Sequence, residues 1–199
     1  NASFSRIAVF ADEVADPVEV YTIVSHLMRE KLAFHLISHS ADTSEVGATA
    51  TRVVTTETVF GNARYPLSGC FCTLPTTPAN LIPAGTRFDS FFVAGGQCPY
   101  HMMQDAAITA IMDGADIAAA VCHGPEALIG SKWMTPTSGK FTAYYGCVMS
   151  FRDALDRFTW KPPPYTHQDS NLFSGNAPNA TQAMVSEACT AIAKLRSKI

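Results

Sequence analysis

The 199-residue sequence predicts an α/β fold, with a mostly parallel sheet covered by helices on both faces. Three observations carry that prediction. Short apolar runs alternate with segments of helical apolar spacing from one end of the chain to the other. No internal repeat and no second domain interrupts the alternation, so residues 1–199 read as one domain. Three segments rich in candidate reactive groups follow three of the apolar runs, at the carboxyl ends of strands where such sheets bind ligands.

The elements follow in order. Arg6–Phe10 is a short apolar strand, and Val20, Ile23, Val24, Leu27 and Met28 then recur at helical spacing. Phe34–Ser38 is a second strand. Thr51–Phe60, rich in Val and Thr, is extended, in the manner of a hairpin arm. Residues 66–87 hold much Pro, Thr and Gly and predict a loop with little regular structure. Phe91–Val93 is a buried strand that runs into Ala94-Gly95-Gly96. Met103–Met112 is a helix stopped by Gly114. Ile117–Val121 is the central strand feeding Cys122, and a helix is expected from Pro125, a residue suited to a first turn. Phe151–Phe158 predicts a further helix, Lys161–Tyr165 a stiff linker and Asn171–Ser174 a last short strand. Met184, Ala188, Ala191, Ile192 and Leu195 form the inner face of a closing helix.

Composition narrows the functional classes. At 47% hydrophobic and 16% charged residues, the chain has the make-up of a folded domain with a large core. A net charge of −3 with no basic stripe argues against nucleic acid as a partner. No apolar run approaches the roughly 20 residues that span a bilayer. The N-terminal NASFSRIAVF carries no signal-peptide pattern, and its missing initiator Met points to trimming. Six cysteines in a domain of this size point to thiols in a reducing compartment, hence a cytoplasmic protein. Cys70-Phe-Cys72 has no second pair at zinc-ligand spacing, and Walker A and HExxH motifs are absent. We therefore expect no metal and no nucleotide cofactor.

The segment Asp116–Ile129, DIAAAVCHGPEALI, places Cys122 between an apolar run and a helical pattern. Ala120 and Gly124 supply the small neighbours that a sharp strand-to-helix turn around a nucleophile needs. A helix N-terminus there would favour the thiolate. A buried cysteine at a strand end is the competing reading. Gly95 and Gly96 allow backbone N–H groups to approach a substrate and, with the N–H of His123, to form an oxyanion hole. His101, in the loop after Gly96, is a further candidate for the pocket. His26, His35 and His39 lie on helix and strand patterns and read as structural. An acid beside the thiol would move protons, and ADEVADPVEV offers Asp12, Glu13, Asp16 and Glu19. Spacing alone does not choose among them, since acids are also favoured at helix starts.

FFVAGG, DIAAAVCHGP, GKFTAYYG and DSNLFSGNAPNA together resemble the DJ-1/ThiJ/PfpI superfamily, of the type 1 glutamine-amidotransferase-like fold. The resemblance covers most of the chain. It implies a flavodoxin-like three-layer sandwich, usually dimeric, with Cys122 as nucleophile. His123 resembles the histidine beside the nucleophile in the PfpI-like branch. EVADPVEV resembles the stretch of isocyanide hydratases and AraC-type sensor domains whose acid lies four residues before a proline, which selects Glu13. Gly96 and His123 then look like the oxyanion donors. The chain departs from those patterns at Asp16, where glycine is usual, at His123, where isocyanide hydratases carry threonine, and at Tyr144, where some members carry histidine. Tyr144 is thereby a candidate hydrogen-bond donor into the pocket, and Cys98 a second redox-active thiol.

The resemblance and the residues together imply a cofactor-independent cysteine enzyme: a hydrolase, hydratase or glyoxalase-like lyase. Its substrate would be a small carbonyl, amide or nitrile-like molecule. It would use a Cys122 thiolate with Glu13 as proton shuttle, in a homodimer that binds neither nucleic acid nor membrane. The alternative is a non-enzymatic sensor that works by reversible oxidation of Cys122.

Overall fold

Strands Ile7–Phe10 (β1), Ser90–Val93 (β7) and Ile117–Val121 (β8) are buried at every position. That is the pattern of strands covered on both faces. The computed structural model describes residues 6–12, 15–41, 52–56, 58–60, 63–65 and 72–198. The remaining strands are Phe34–Ser38 (β2), Arg52–Thr56 (β3), Thr58–Phe60 (β4), Ala63–Tyr65 (β5), Cys72–Pro78 (β6), Thr166–Asp169 (β9) and Leu172–Gly175 (β10). Eight of the ten described strands form one sheet in the order β3-β6-β2-β1-β7-β8-β10-β9, and β4 and β5 form a separate hairpin. The six inner strands run parallel, while β3 and β9 close the edges antiparallel.

Helices cover the sheet. Helix α1 (Pro17–Arg29) packs with α4 (Thr181–Arg196), and α4 lies over β8 and β10. Helices α2 (Cys98–Met102) and α3 (Ala106–Gly114) follow β7 and meet the 3-10 segments of the opposite layer. The three-layer α/β sandwich is as expected. The chain leaves β1 for β2 on one side and returns to β7 on the other. The strand order therefore reverses at β1, which opens a crevice at the carboxyl ends of β1 and β7.

Several elements differ from expectation. Residues 72–78, within the expected loop, form β6. It pairs antiparallel along β3 but with β2 only at Ile37 and Ser38. Cross-strand pairing outweighs the weak strand propensity of a Pro- and Thr-rich segment. The helix expected over Met103–Met112 begins later, at Ala106, and runs to Gly114, and a separate helix, Cys98–Met102, precedes it. Gln104 has φ +67°, and the Asp105 side chain accepts the N–H groups of Ala107 and Ile108, so a new helix begins there. The helices expected from Pro125 and over Phe151–Phe158 are 3-10 segments, Gly124–Leu128 and Tyr145–Arg157, the second kinked at Phe151. Strand β9 was not foreseen; Ser170, at φ +54°, turns the chain from β9 into β10.

Candidate active site

Cys122 is the first residue after β8 and has φ +58°, in the left-handed region. For a residue with a side chain that conformation costs about 1–3 kcal/mol and persists only where the surroundings fix it. Here they do. The Cys122 N–H donates to Gly175 O at 2.8 Å, and its carbonyl accepts the Tyr144 N–H at 2.9 Å. The small neighbours also have a measured reason. A Cβ on Gly124 would lie 2.6 Å from Val93 O, so the chain can turn this closely against β7 only with glycine there. The elbow predicted from DIAAAVCHGP is present. The helix after it is a five-residue 3-10 segment, which weakens the dipole argument for a thiolate.

The carboxyl that meets the thiol is that of Glu19, on the first turn of α1. Asp16 caps this helix through Val18 N (2.9 Å) and Glu19 N (3.2 Å). Glu19 is fully buried beside Cys122: its Oε2 and the Cys122 Cβ each lie 2.7 Å from the point where a Cβ on Gly95 would stand. One carboxyl oxygen, Oε2, accepts the Gly95 N–H; the other, Oε1, has no hydrogen-bond partner among the described residues. Burial, reinforced by the charge of Asp16, holds the Glu19 carboxyl well above the ordinary carboxylate range. A buried oxygen without a donor likewise favours the neutral acid. Burial first, and then the facing Glu19 charge, raise the Cys122 thiol, while the His123 N–H directed at the sulfur opposes the rise. Two such groups side by side resist joint ionisation, so they titrate as a coupled pair.

Gly95 seats this pair. A Cβ there would stand 2.7 Å from Cys122 Cβ, 2.7 Å from Glu19 Oε2 and 2.9 Å from His123 N. Its N–H is engaged by Glu19, which leaves the N–H groups of Gly96 and His123 as the oxyanion candidates of the predicted set. Gly96, at φ +83°, bridges to Ala15 and ties the loop after β7 to the start of α1.

On the other side of the elbow, His123 Nδ1 lies 2.7 Å from Glu126 Oε2, and Ser150 Oγ donates to Glu126 Oε1. Glu126 is fully buried. The His123 ring sits between Tyr144, 5.2 Å away, and Tyr100, 6.5 Å away. With Glu126 engaging Nδ1, the ring keeps Nε2 for other partners. Tyr144 is 47% exposed and stands at the mouth of the site.

The structure thus brings Cys122, His123, Gly95 and Tyr144 together. His101 instead makes its ring contact with His39, at 5.6 Å. Glu13 lies outside the described residues. Cys98 is fully buried, its thiol donates to Ala94 O and Gly95 O, and burial raises it. Glu126, Tyr100 and Ser150 were not foreseen. Among the four acids of ADEVADPVEV the resemblance selects Glu13, whereas the acid that lies beside Cys122 is Glu19. A signal for it existed: Glu19, Ile23 and Leu27 stand at i, i+4 and i+8 on one helical stripe, and all three are buried.

No family model and no curated protein matches the sequence. Solved structures do match. The fold is similar to that of oxidized Toxoplasma gondii DJ-1, with 15% identity, TM-score 0.68, and coverage of 94% of this chain and 90% of that one. A ThiJ/PfpI domain protein from Brachyspira murdochii matches at 11% identity and TM-score 0.68, over 98% and 99% of the two chains. A two-domain protein from Anabaena variabilis, with DJ-1/ThiJ/PfpI-like and ferritin-like domains, matches at 14% identity and TM-score 0.70. The match covers 95% of this chain but 48% of that protein. The chain therefore has the DJ-1/ThiJ/PfpI fold, the class its sequence motifs resemble. No helix of the described residues is long and apolar enough to cross a membrane.

Proposed function

We propose that the chain is a member of the DJ-1/ThiJ/PfpI superfamily and a cofactor-independent cysteine enzyme acting on a small carbonyl, amide or nitrile-like carbon. The observation that carries this reading is the contact of the elbow thiol of Cys122 with the buried carboxyl of Glu19. The reactive form of the Cys122–Glu19 pair is the one that carries a single proton. When Glu19 holds it, the thiolate attacks the electrophilic carbon and forms the C–S bond, and the π electron pair moves onto the substrate oxygen or nitrogen. The N–H groups of Gly96 and His123 receive the developing anion, and Glu19 then delivers its proton to it. The same acid can return a proton to a leaving amine or take one from water in the steps that follow. His123, oriented by Glu126, is a second proton carrier, and Tyr144 donates at the rim. Glu13 and His101 remain candidates for contacts to bound substrate.

A redox sensor is the second reading. Cys122 is 8% exposed, and its nearest acid is placed to hydrogen-bond an oxidised sulfur. A cytoplasmic homodimer suits both readings. Four described cysteines are buried free thiols, and the mouth of the site carries exposed aromatic side chains.

The test is a screen of small 2-oxoaldehydes, isocyanides and simple amides against wild type, Cys122→Ala, Glu19→Gln and Glu13→Gln, with intact mass recorded after each incubation. Turnover lost in Cys122→Ala and Glu19→Gln is the expected result. Turnover lost in Glu13→Gln but retained in Glu19→Gln transfers the shuttle role to Glu13. No turnover, with a peroxide-dependent oxygen adduct on Cys122 alone, replaces the enzyme reading with the sensor.

A further inference from the structure

The carboxyl ends of β2, β1 and β7 carry a second cluster, made by Asp12, His39 and His101. Asp12 follows β1 and is fully buried. His39 follows β2: its backbone N–H donates to Asp12 Oδ2 at 2.9 Å, and its ring Nδ1 meets the same oxygen. His101, on α2 after β7, is exposed and sets its ring against that of His39. One donor atom from each of the three side chains lies within 4.8 Å of the other two.

The supports of this cluster are rigid. Ser40, next to His39, is clamped by both oxygens of Asp105, the cap of α3, through N at 2.7 Å and Oγ at 2.9 Å. Ala41 is clamped in turn by the Asn80 side chain, at 3.0 and 2.8 Å. On the other flank, the Cys98 thiol of α2 donates to Gly95 O at 3.4 Å, which ties the helix bearing His101 to the end of β7. Three fixed elements thus converge two imidazoles and one buried carboxylate on one point. A carboxylate facing an imidazole nitrogen needs a proton or a cation between them. With a second imidazole beside them, a divalent ion satisfies all three donors at once. Two nitrogens and one carboxylate oxygen suit a borderline first-row cation, with the exposed side of His101 leaving positions open.

We propose that Asp12, His39 and His101 form a binding site for a divalent transition-metal ion of the zinc class, independent of the Cys122 chemistry. The proposal departs from the expectation of no metal, which follows from the absence of sequential ligand motifs. The three residues are 27 and 62 positions apart along the chain (12 to 39, 39 to 101), so no short motif could reveal them.

The experiment is titration of the full chain with Zn²⁺ by calorimetry, and with Co²⁺ by visible absorption. One equivalent of metal should bind, and the Co²⁺ spectrum should show ligand-field bands without thiolate charge transfer. His101→Ala removes an exposed ligand and leaves the core intact. It should weaken binding by more than about 100-fold, beyond what loss of an outer-shell partner costs, and Asp12→Asn should do the same. A competing cluster of His123, Glu126 and Cys147 also has converging donor atoms, so Cys147→Ser must leave binding unchanged. The proposal fails if wild type takes up no stoichiometric metal. It fails equally if His101→Ala binds as tightly as wild type, or if Co²⁺ shows a thiolate charge-transfer band.

Discussion

Two glutamates are fully buried on either side of the same elbow, and their surroundings give them opposite characters. Glu126 has both oxygens matched, one by Ser150 and one by His123. Glu19 has one oxygen on Gly95 N–H, the other without a partner, and the Cys122 thiol beside it. The first is a fixed anchor that orients an imidazole. The second has a buried carboxyl that favours its neutral form, the state that the proposed proton carrier needs. Burial alone therefore does not set the character of a carboxyl; whether both of its oxygens are paired does.

The contrast can be broken most sharply at Glu19. In Glu19→Gln the rate should fall by about 10²–10⁴-fold, the usual contribution of a positioned acid–base group, measured as kcat/KM on whichever substrate the screen returns. The same variant reports on stability. The folded protein keeps the Glu19 proton at pH values where the unfolded chain, with an ordinary value of 4.5, has lost it. The contribution of Glu19 is then full below pH 4.5 and is lost as pH rises toward the higher folded value. Thermal melting across pH should show that decline in wild type and not in Glu19→Gln. An unchanged slope would mean that Glu19 is ionised in the folded protein.

Gly95→Ala tests the seat that separates the two glutamates. The added Cβ collides with Cys122, Glu19 and the His123 backbone. A loss of about 10²-fold is expected, as for a reacting group displaced by roughly 1 Å, with a destabilisation of about 1–3 kcal/mol. Wild-type activity in this variant would show that the thiol–carboxyl contact is not the working geometry.

Glu126→Gln should cost less, about tenfold in kcat/KM, or about 1.4 kcal/mol. KM and the melting temperature should stay near wild type, because Gln still fills the site and can bond Ser150. A loss confined to stability would reduce Glu126 to a packing role. Asp16→Asn is the mildest variant. Asn still caps α1 but removes the charge that helps raise Glu19. The pH at which wild-type stability declines should therefore narrow toward 4.5, with little change in rate.

Most of the site's frame is legible in the chain. The strand ending in Cys122, the small residues flanking it, the glycine pair after Val93 and the helix after Asp-Pro are local patterns, and each is found in place. The resemblance drawn from those segments agrees with the fold. Legibility stops at side chains that meet across elements. Glu19 sits on a stripe with Ile23 and Leu27, which marks it as buried, but which strand end that stripe faces depends on how α1 lies over the sheet. Glu126 and Ser150 meet across 24 residues, and nothing in either segment announces the other. Residues 72–78 became a strand because β3 and β2 were there to pair with, against the preference of their own composition.

By itself, then, the sequence determined the α/β class, the parallel core strands and the position of the elbow cysteine. These depend on apolar periodicity and turn chemistry within a few neighbouring residues. The tertiary structure decided which carboxyl meets the thiol, which carboxyl holds His123 and which imidazoles converge on Asp12. Those pairings depend on the crossing of helices over strands and on the reversal of strand order at β1, which bring distant residues within a few ångströms.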